Sequence, residues 1–171
     1  MSDARPSPAV VIPAGLPILD AAAWVGHACW AELRFHQVLT SWLAVEVDLE
    51  LSQAYWAIRS HRAEVAEWWH RRLPELREHP RASFVAPSSP EVAARFDELE
   101  GLLQADASLD RAAAAAGVLV ALGRGYEERR AVAVGAADRP VAATLVQAVA
   151  ITVPDYLALR VEPVVPPAPL P

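Results

Sequence analysis

The sequence predicts an all-α protein, an up-down four-helix bundle with one short connector helix. Three observations predict it. Residues 27–73 contain neither Gly nor Pro. Apolar residues in that run recur at spacings of three and four, the period of a helix face. Alanine runs such as 112–116, made of the strongest helix former, fill the second half of the chain. At 171 residues, with 54% hydrophobic and 21% charged residues, the composition is that of one globular domain.

Residues 1–19 read as a Pro-rich leader, residues 20–160 as the bundle and residues 161–171 (VEPVVPPAPLP) as a polyproline II tail. Asp20 is placed to cap the first helix. A single helix over 27–73 would extend about 70 Å. A domain of this size has a radius of gyration of about 15–16 Å. The chain therefore turns back, and the turn falls in 44–50 (AVEVDLE), where Asp48 can cap the next helix and Glu50 favours its first turn. Helix A then covers 20–43 and helix B 49–73, ended by Pro74 and Pro80. Ser89 and Pro90 start the connector in the N-cap and N1 manner, and it runs to about 105. Helix C covers 108–134 with Gly135 just beyond its end. Helix D runs from about 138 and stops by Pro154.

The charge balance excludes several function classes. The net charge is −6 and all 15 basic residues are Arg, scattered along the chain, which argues against a nucleic-acid partner. The one cysteine, Cys29, leaves no internal disulfide and no thiolate zinc site, and reads as a small buried hydrophobe. The longest apolar stretch, 141–153, holds Thr144, Gln147 and Thr152 and is too short and polar to span a membrane. With no signal peptide in the leader, the expected location is cytoplasmic.

Placing polar residues on helix faces at about 100° per residue locates the candidate site. Helix A has a seam of Val25, Cys29, Glu32, His36, Leu39 and Leu43, with Glu and His at its middle positions. A second apolar face, Trp24, Ala31, Phe35, Val38 and Trp42, means that helix A is deeply buried or meets another subunit, so a homodimer or a protein partner is expected there. Helix B has a seam of Leu51, Ala54, Ile58, His61, Val65 and Trp69, with Glu64 just outside it. An antiparallel turn near Glu46 brings Glu32 towards His61 and leaves His36 one turn away. On helix C, Tyr126 and Arg130 point inward near one end, Tyr126 towards a buried carboxylate and Arg130 towards Glu32 or Glu64. Helix D offers no inward carboxylate or histidine. A buried carboxylate and imidazole are costly unless they satisfy each other or bind something. Two readings stay open: a structural ion pair, or a metal or acid–base site.

The stretches 30–34 (WAELR) and 60–74 (SHRAEVAEWWHRRLP), on two antiparallel hairpins with a long B–C connection, resemble the ferritin-like superfamily over about 20–158. The resemblance implies a carboxylate-bridged di-iron centre with oxygen chemistry or iron oxidation. Glu32 would be the helix A ligand. Helix B would give Glu67 and His70, a Glu-x-x-His spacing that lies on a solvated face, or a reversed His61-x-x-Glu64. The second hairpin has Glu127 and Glu128 but no His after His79, so a symmetric site is excluded. Face geometry favours Glu32, His36, His61 and Glu64 as metal ligands, a hard donor set suited to iron or manganese, with Tyr126 and Arg130 as cofactor-side groups behind them. The expected function is a non-catalytic interaction or oligomerisation module with a degenerate metal site. The alternative is a non-haem iron or manganese oxidoreductase of ferritin-like type. A small-molecule sensor with an aromatic pocket is a third reading. The first two separate on face assignment: Glu32, His61 and Glu64 converging around an open position favours the metal, and Arg130 filling that position favours the structural pair.

Overall fold

Asp48 does cap a helix. Its side chain accepts from the Leu51 N–H at 2.9 Å and starts α2 (Leu49–Arg72), five residues after α1 (Ile18–Leu43) ends. The computed structural model describes residues 13–103, 106–164 and 170–171. Every regular element among them is helical: α3 (Pro90–Glu100), α4 (Ser108–Val132) and α5 (Arg139–Ala158) follow, with single 3₁₀ turns at Arg81–Phe84 and Ala136–Asp138. The expected connector end at 105 lies outside the described residues; α3 itself stops at Glu100, with Gly101 as its C-cap. Asp20 does not cap α1. It sits in the first turn, behind an N-cap at Pro17 that makes no side-chain bond, where its charge still favours the helix N-terminus.

The most extensive helix pair is α1 with α2, followed by α4 with α5, and α2 packs on α5 to join the pairs. The core between them holds Phe35, Leu39, Trp42, Tyr55, Ile58, Trp69, Leu119, Leu122 and Leu145, all at most 1% exposed. Glu46 locks the α1–α2 turn to the start of α4. Its carboxylate accepts from Ser108 Oγ at 2.7 Å and from Arg111 Nη2 at 2.8 Å, with both Glu46 and Arg111 side chains fully buried.

The second apolar face of α1 is covered by the same chain, not left for another subunit. Trp42 Nε1 donates to the Leu99 carbonyl at 3.0 Å, and Trp30 meets Phe96 edge to face at 5.5 Å. Arg34 pairs with Asp97 and Glu100 at 2.6 Å each. Gly26 lets the 81–84 turn approach, since a Cβ there would lie 2.0 Å from the Phe84 carbonyl oxygen. The connector therefore acts as a lid on α1.

Both chain ends are partly tied down. Pro13 and Ala14 carbonyls accept from Ala136 and Ala137 at 3.0 and 3.1 Å, and Gly15 (φ +122°) adopts a backbone conformation that a side chain would strain. At the other end the tail is not wholly a free polyproline strand. Leu170 is 2% exposed and its N–H donates to the Ala121 carbonyl at 3.0 Å; residues 165–169 lie outside the described set.

α5 runs through Pro154 to Ala158 instead of stopping there. The carbonyl left without its i→i+4 partner belongs to exposed Ala150, where water can take over. Counted with the preceding 3₁₀ turn, 136–158 is long and apolar enough to cross a membrane by length and composition, which the shorter 141–153 stretch is not.

Candidate functional site

Four helices each contribute to one buried polar chain. Glu32, mid-way along α1, is fully buried. The Tyr126 hydroxyl, from α4, donates to its Oε1 in a short hydrogen bond. Arg62, from α2 and also fully buried, donates through Nη1 to the same oxygen at 3.2 Å and to Thr152 Oγ1 at 3.1 Å. Its Nη2 donates to Asp155 Oδ2 at 2.7 Å, both acceptors beyond Glu32 coming from α5. The other Asp155 oxygen is hydrogen-bonded to His61 Nδ1 at 2.7 Å. Behind Tyr126, Trp69 Nε1 donates to the phenol oxygen at 3.3 Å. The chain thus runs Trp69, Tyr126, Glu32, Arg62, Asp155, His61, from the aromatic core to a histidine whose side chain is 43% exposed.

Two carboxylates face one guanidinium. Burial raises the proton affinity of Glu32, and the Asp155 charge adds to it; the Arg62 charge and the Tyr126 hydrogen bond pull the other way without reversing it. A proton on Glu32 would leave Arg62 and Asp155 as a one-to-one pair. Burial and the adjacent Glu32 likewise push the Tyr126 phenol well above its ordinary range. Glu32 Oε2 and Arg62 Nε have no hydrogen-bond partner. Cys29, one turn before Glu32, behaves as a buried hydrophobe: its thiol rests on the Ala66 carbonyl at 3.4 Å and is pushed up to about 11, chiefly by burial.

The residues expected to form a metal site are placed as follows. Glu32 and His61 belong to the same chain of contacts but do not touch; Arg62 and Asp155 stand between them. His36 turns away and shares a 3.0 Å hydrogen bond with the Arg59 carbonyl. Glu64 is exposed, as are Glu67 and His70. Tyr126 points inward. Arg130 does not reach Glu32 or Glu64: it is exposed and pairs with Glu127 at 2.7 Å, one turn beyond the last buried turn of α4. The arginine that meets Glu32 is Arg62. Among the described residues no three of His, Cys, Asp and Glu come together so as to hold a metal ion. The donor set does not fit an iron or manganese ion, because the point shared by Glu32 and Asp155 is occupied by a guanidinium. A depression of about 600 Å³ lies at the far end of α5, lined by Asp48, Glu50, Leu109 and Arg160 among others.

Two network residues, Arg62 and Asp155, fall outside the seams read from sequence. The buried positions of α2 are Tyr55, Ile58, Arg62, Val65, Ala66 and Trp69; all but Ala66 fall in a 3-4-3-4 pattern, one residue away from the expected seam at Ala54 and His61. Val141, Leu145, Ala148 and Thr152 continue with the same spacing to Asp155, 4% exposed, once α5 is extended past Pro154. No family model matches the chain, and no match to it is found among the curated proteins or the solved structures.

Proposed function

We propose that this chain is a non-catalytic helical-bundle module of ferritin-like layout, with α1, α2, α4 and α5 as the four bundle helices and its work done through contact with another protein chain. One observation carries the reading: the Arg62 guanidinium sits between Glu32 and Asp155 and supplies there the positive charge that a metal ion would otherwise bring. A buried carboxylate pair held by an internal cation specifies how four helices meet. Buried charge networks of this kind are retained for packing specificity in some proteins.

The competing reading is an iron or manganese oxidoreductase. Its support is Glu32 Oε2, a buried carboxylate oxygen without a partner. Metal analysis separates the two. The protein is produced in iron- and manganese-supplemented medium, as the parent and as His61→Ala, a position whose side chain is 43% exposed. The expected result is no stoichiometric metal in either. Stoichiometric iron or manganese in the parent, lost in His61→Ala, overturns the module reading.

A further inference from the structure

The end of the chain is seated on α4 by one residue. Leu170 is 2% exposed and belongs to the main core cluster. Its N–H donates to the Ala121 carbonyl at 3.0 Å. In sequence Leu170 stands between Pro169 and Pro171, so it carries the one N–H of that tripeptide and its one flexible side chain. The bundle takes both. A helix carbonyl accepts from the N–H four residues on and keeps a second lone pair, beside which the side chain of that later residue stands. For Ala121 that residue is Gly125, which has no side chain. A Cβ there would lie 1.5 Å from the Leu170 carbonyl oxygen. Gly117, Ala121 and Gly125 are all buried and lie four residues apart on one face of α4, a floor about 12 Å long with nothing larger than a methyl. The Val164 carbonyl oxygen lies over the same floor, 3.4 Å from where a Gly117 Cβ would be. Beside Val164 the groove widens into a depression of about 280 Å³ between α3 and α4, lined by Arg95, Leu99, Leu102, Asp110 and Ala114 among others.

We propose that this groove is a recognition site for an extended segment of a partner protein carrying a leucine between two prolines, and that the chain's own tail is its tethered occupant. The proposal rests on the reading of the protein as an interaction module and gives that module its binding site. Three observations select the occupant. The seat takes a leucine side chain and a single N–H together, which is what Pro-Leu-Pro presents. A floor without side chains admits another backbone at contact distance, and a Pro-rich segment brings a backbone that is already extended, at small entropic cost. The groove also runs on beside Val164 into the depression against α3, which gives a longer segment further apolar contact with Leu99 and Leu102. Among the described residues the polar tie between the tail and α4 is that one hydrogen bond, so the occupant is exchangeable. A second copy of the chain fits less well as the donor. Its tail is held at its own groove by a short tether, at an effective concentration of about 1 mM.

The test uses the full chain as the parent, as Leu170→Ala and as Leu170→Asp. The probe is a fluorescein-labelled peptide with the sequence of residues 161–171 (VEPVVPPAPLP), read by fluorescence anisotropy. Helical circular dichroism checks that each variant folds. Both variants remove the tethered leucine and are expected to bind the peptide with a dissociation constant below about 1 mM. The parent should bind at least about tenfold more weakly, because its own tail competes. The same peptide carrying Leu170→Asp should not bind. Nor should Leu170→Ala combined with Gly125→Leu, in which a good helix former fills the seat. No peptide binding by either folded variant at about 1 mM overturns the inference. So does equal binding by parent and variants, or binding that survives Gly125→Leu or the loss of the peptide's leucine. A parent that dimerises as its concentration rises to about 1 mM, and no longer does so as Leu170→Ala, overturns the partner assignment in favour of tails exchanged between two copies. Metal content is read on the same samples. Absent metal with no peptide binding sinks the groove alone, whereas stoichiometric metal sinks the module reading whatever the peptide does.

Discussion

Replacing Arg62 by Met tests the core of the reading most directly. Met keeps the aliphatic volume of the stem but removes the guanidinium that serves Glu32, Thr152 and Asp155. All of these acceptors are at least 95% buried. Removing one partner of a buried ion pair typically costs about 3–5 kcal/mol, because the remaining charges are left uncompensated. In a domain of 150–250 residues each kcal/mol moves the midpoint by about 2–4 °C, so the melting temperature of Arg62→Met should fall by about 6–20 °C. The deficit should also depend on pH. Near neutrality the variant must hold Asp155 and Glu32 without a cation, or protonate them at a cost. As the pH falls and Glu32 takes up its proton, the parent has less negative charge for Arg62 to neutralise and the variant has less to leave uncompensated. The gap between parent and variant should therefore narrow, or reverse, as the pH falls. Urea unfolding followed by circular dichroism at several pH values reads both effects. A deficit below about 1 kcal/mol that does not change with pH would refute the claim that Arg62 neutralises this cluster.

Two further outcomes follow from the same structure. Glu32 is held above its ordinary carboxylate range by burial, so the folded protein binds its proton more tightly than the unfolded chain does. The stability from that proton is complete below the unfolded value and is lost as pH rises through the folded one. Glu32→Gln, neutral throughout, should flatten the decline in stability across that window, and an unchanged slope would assign the decline to other groups. A Cβ on Gly125 would lie 1.5 Å from the Leu170 carbonyl oxygen, so Gly125→Ala should free the end of the tail while leaving α4 as stable or up to about 1 kcal/mol more so. Amide exchange at Leu170 measures this, and protection equal to the parent's would show that the tail seat does not need the glycine.

The turn and the inward carboxylate were legible in the chain itself. The acidic stretch around Asp48 has no apolar periodicity to continue a helix, and Asp48 supplies the cap that starts the next one. Glu32 lies among buried Ala28, Cys29 and Phe35, and Tyr126 follows buried Leu119 and Leu122 on its seam, so both side chains point into the core. Arg130 continues the Tyr126 seam, yet helix periodicity does not say where packing ends. α4 projects beyond its neighbours there, as Val132 at 52% exposure shows. Arg62 was hidden for the opposite reason. A seam defined by apolar residues steps around an arginine, and Ala54 and His61 offered a competing line one residue away.

Pro154 concealed Asp155 in the same manner. Proline ends most helices because it lacks a donor and crowds the preceding turn, but on an exposed face the released carbonyl can turn to water and the helix continues. By itself the sequence determined an all-helical chain, the place where α1 turns into α2 and the burial of one carboxylate on α1, because each of these depends on local periodicity, capping and the cost of exposing apolar side chains. The tertiary structure alone decided which cation meets that carboxylate, that the connector covers α1, and that α4 turns Gly125 to the end of the tail. Each of those depends on the rotation of one helix about its axis relative to the others, and a shift of one residue, about 100°, is enough to exchange His61 for Arg62.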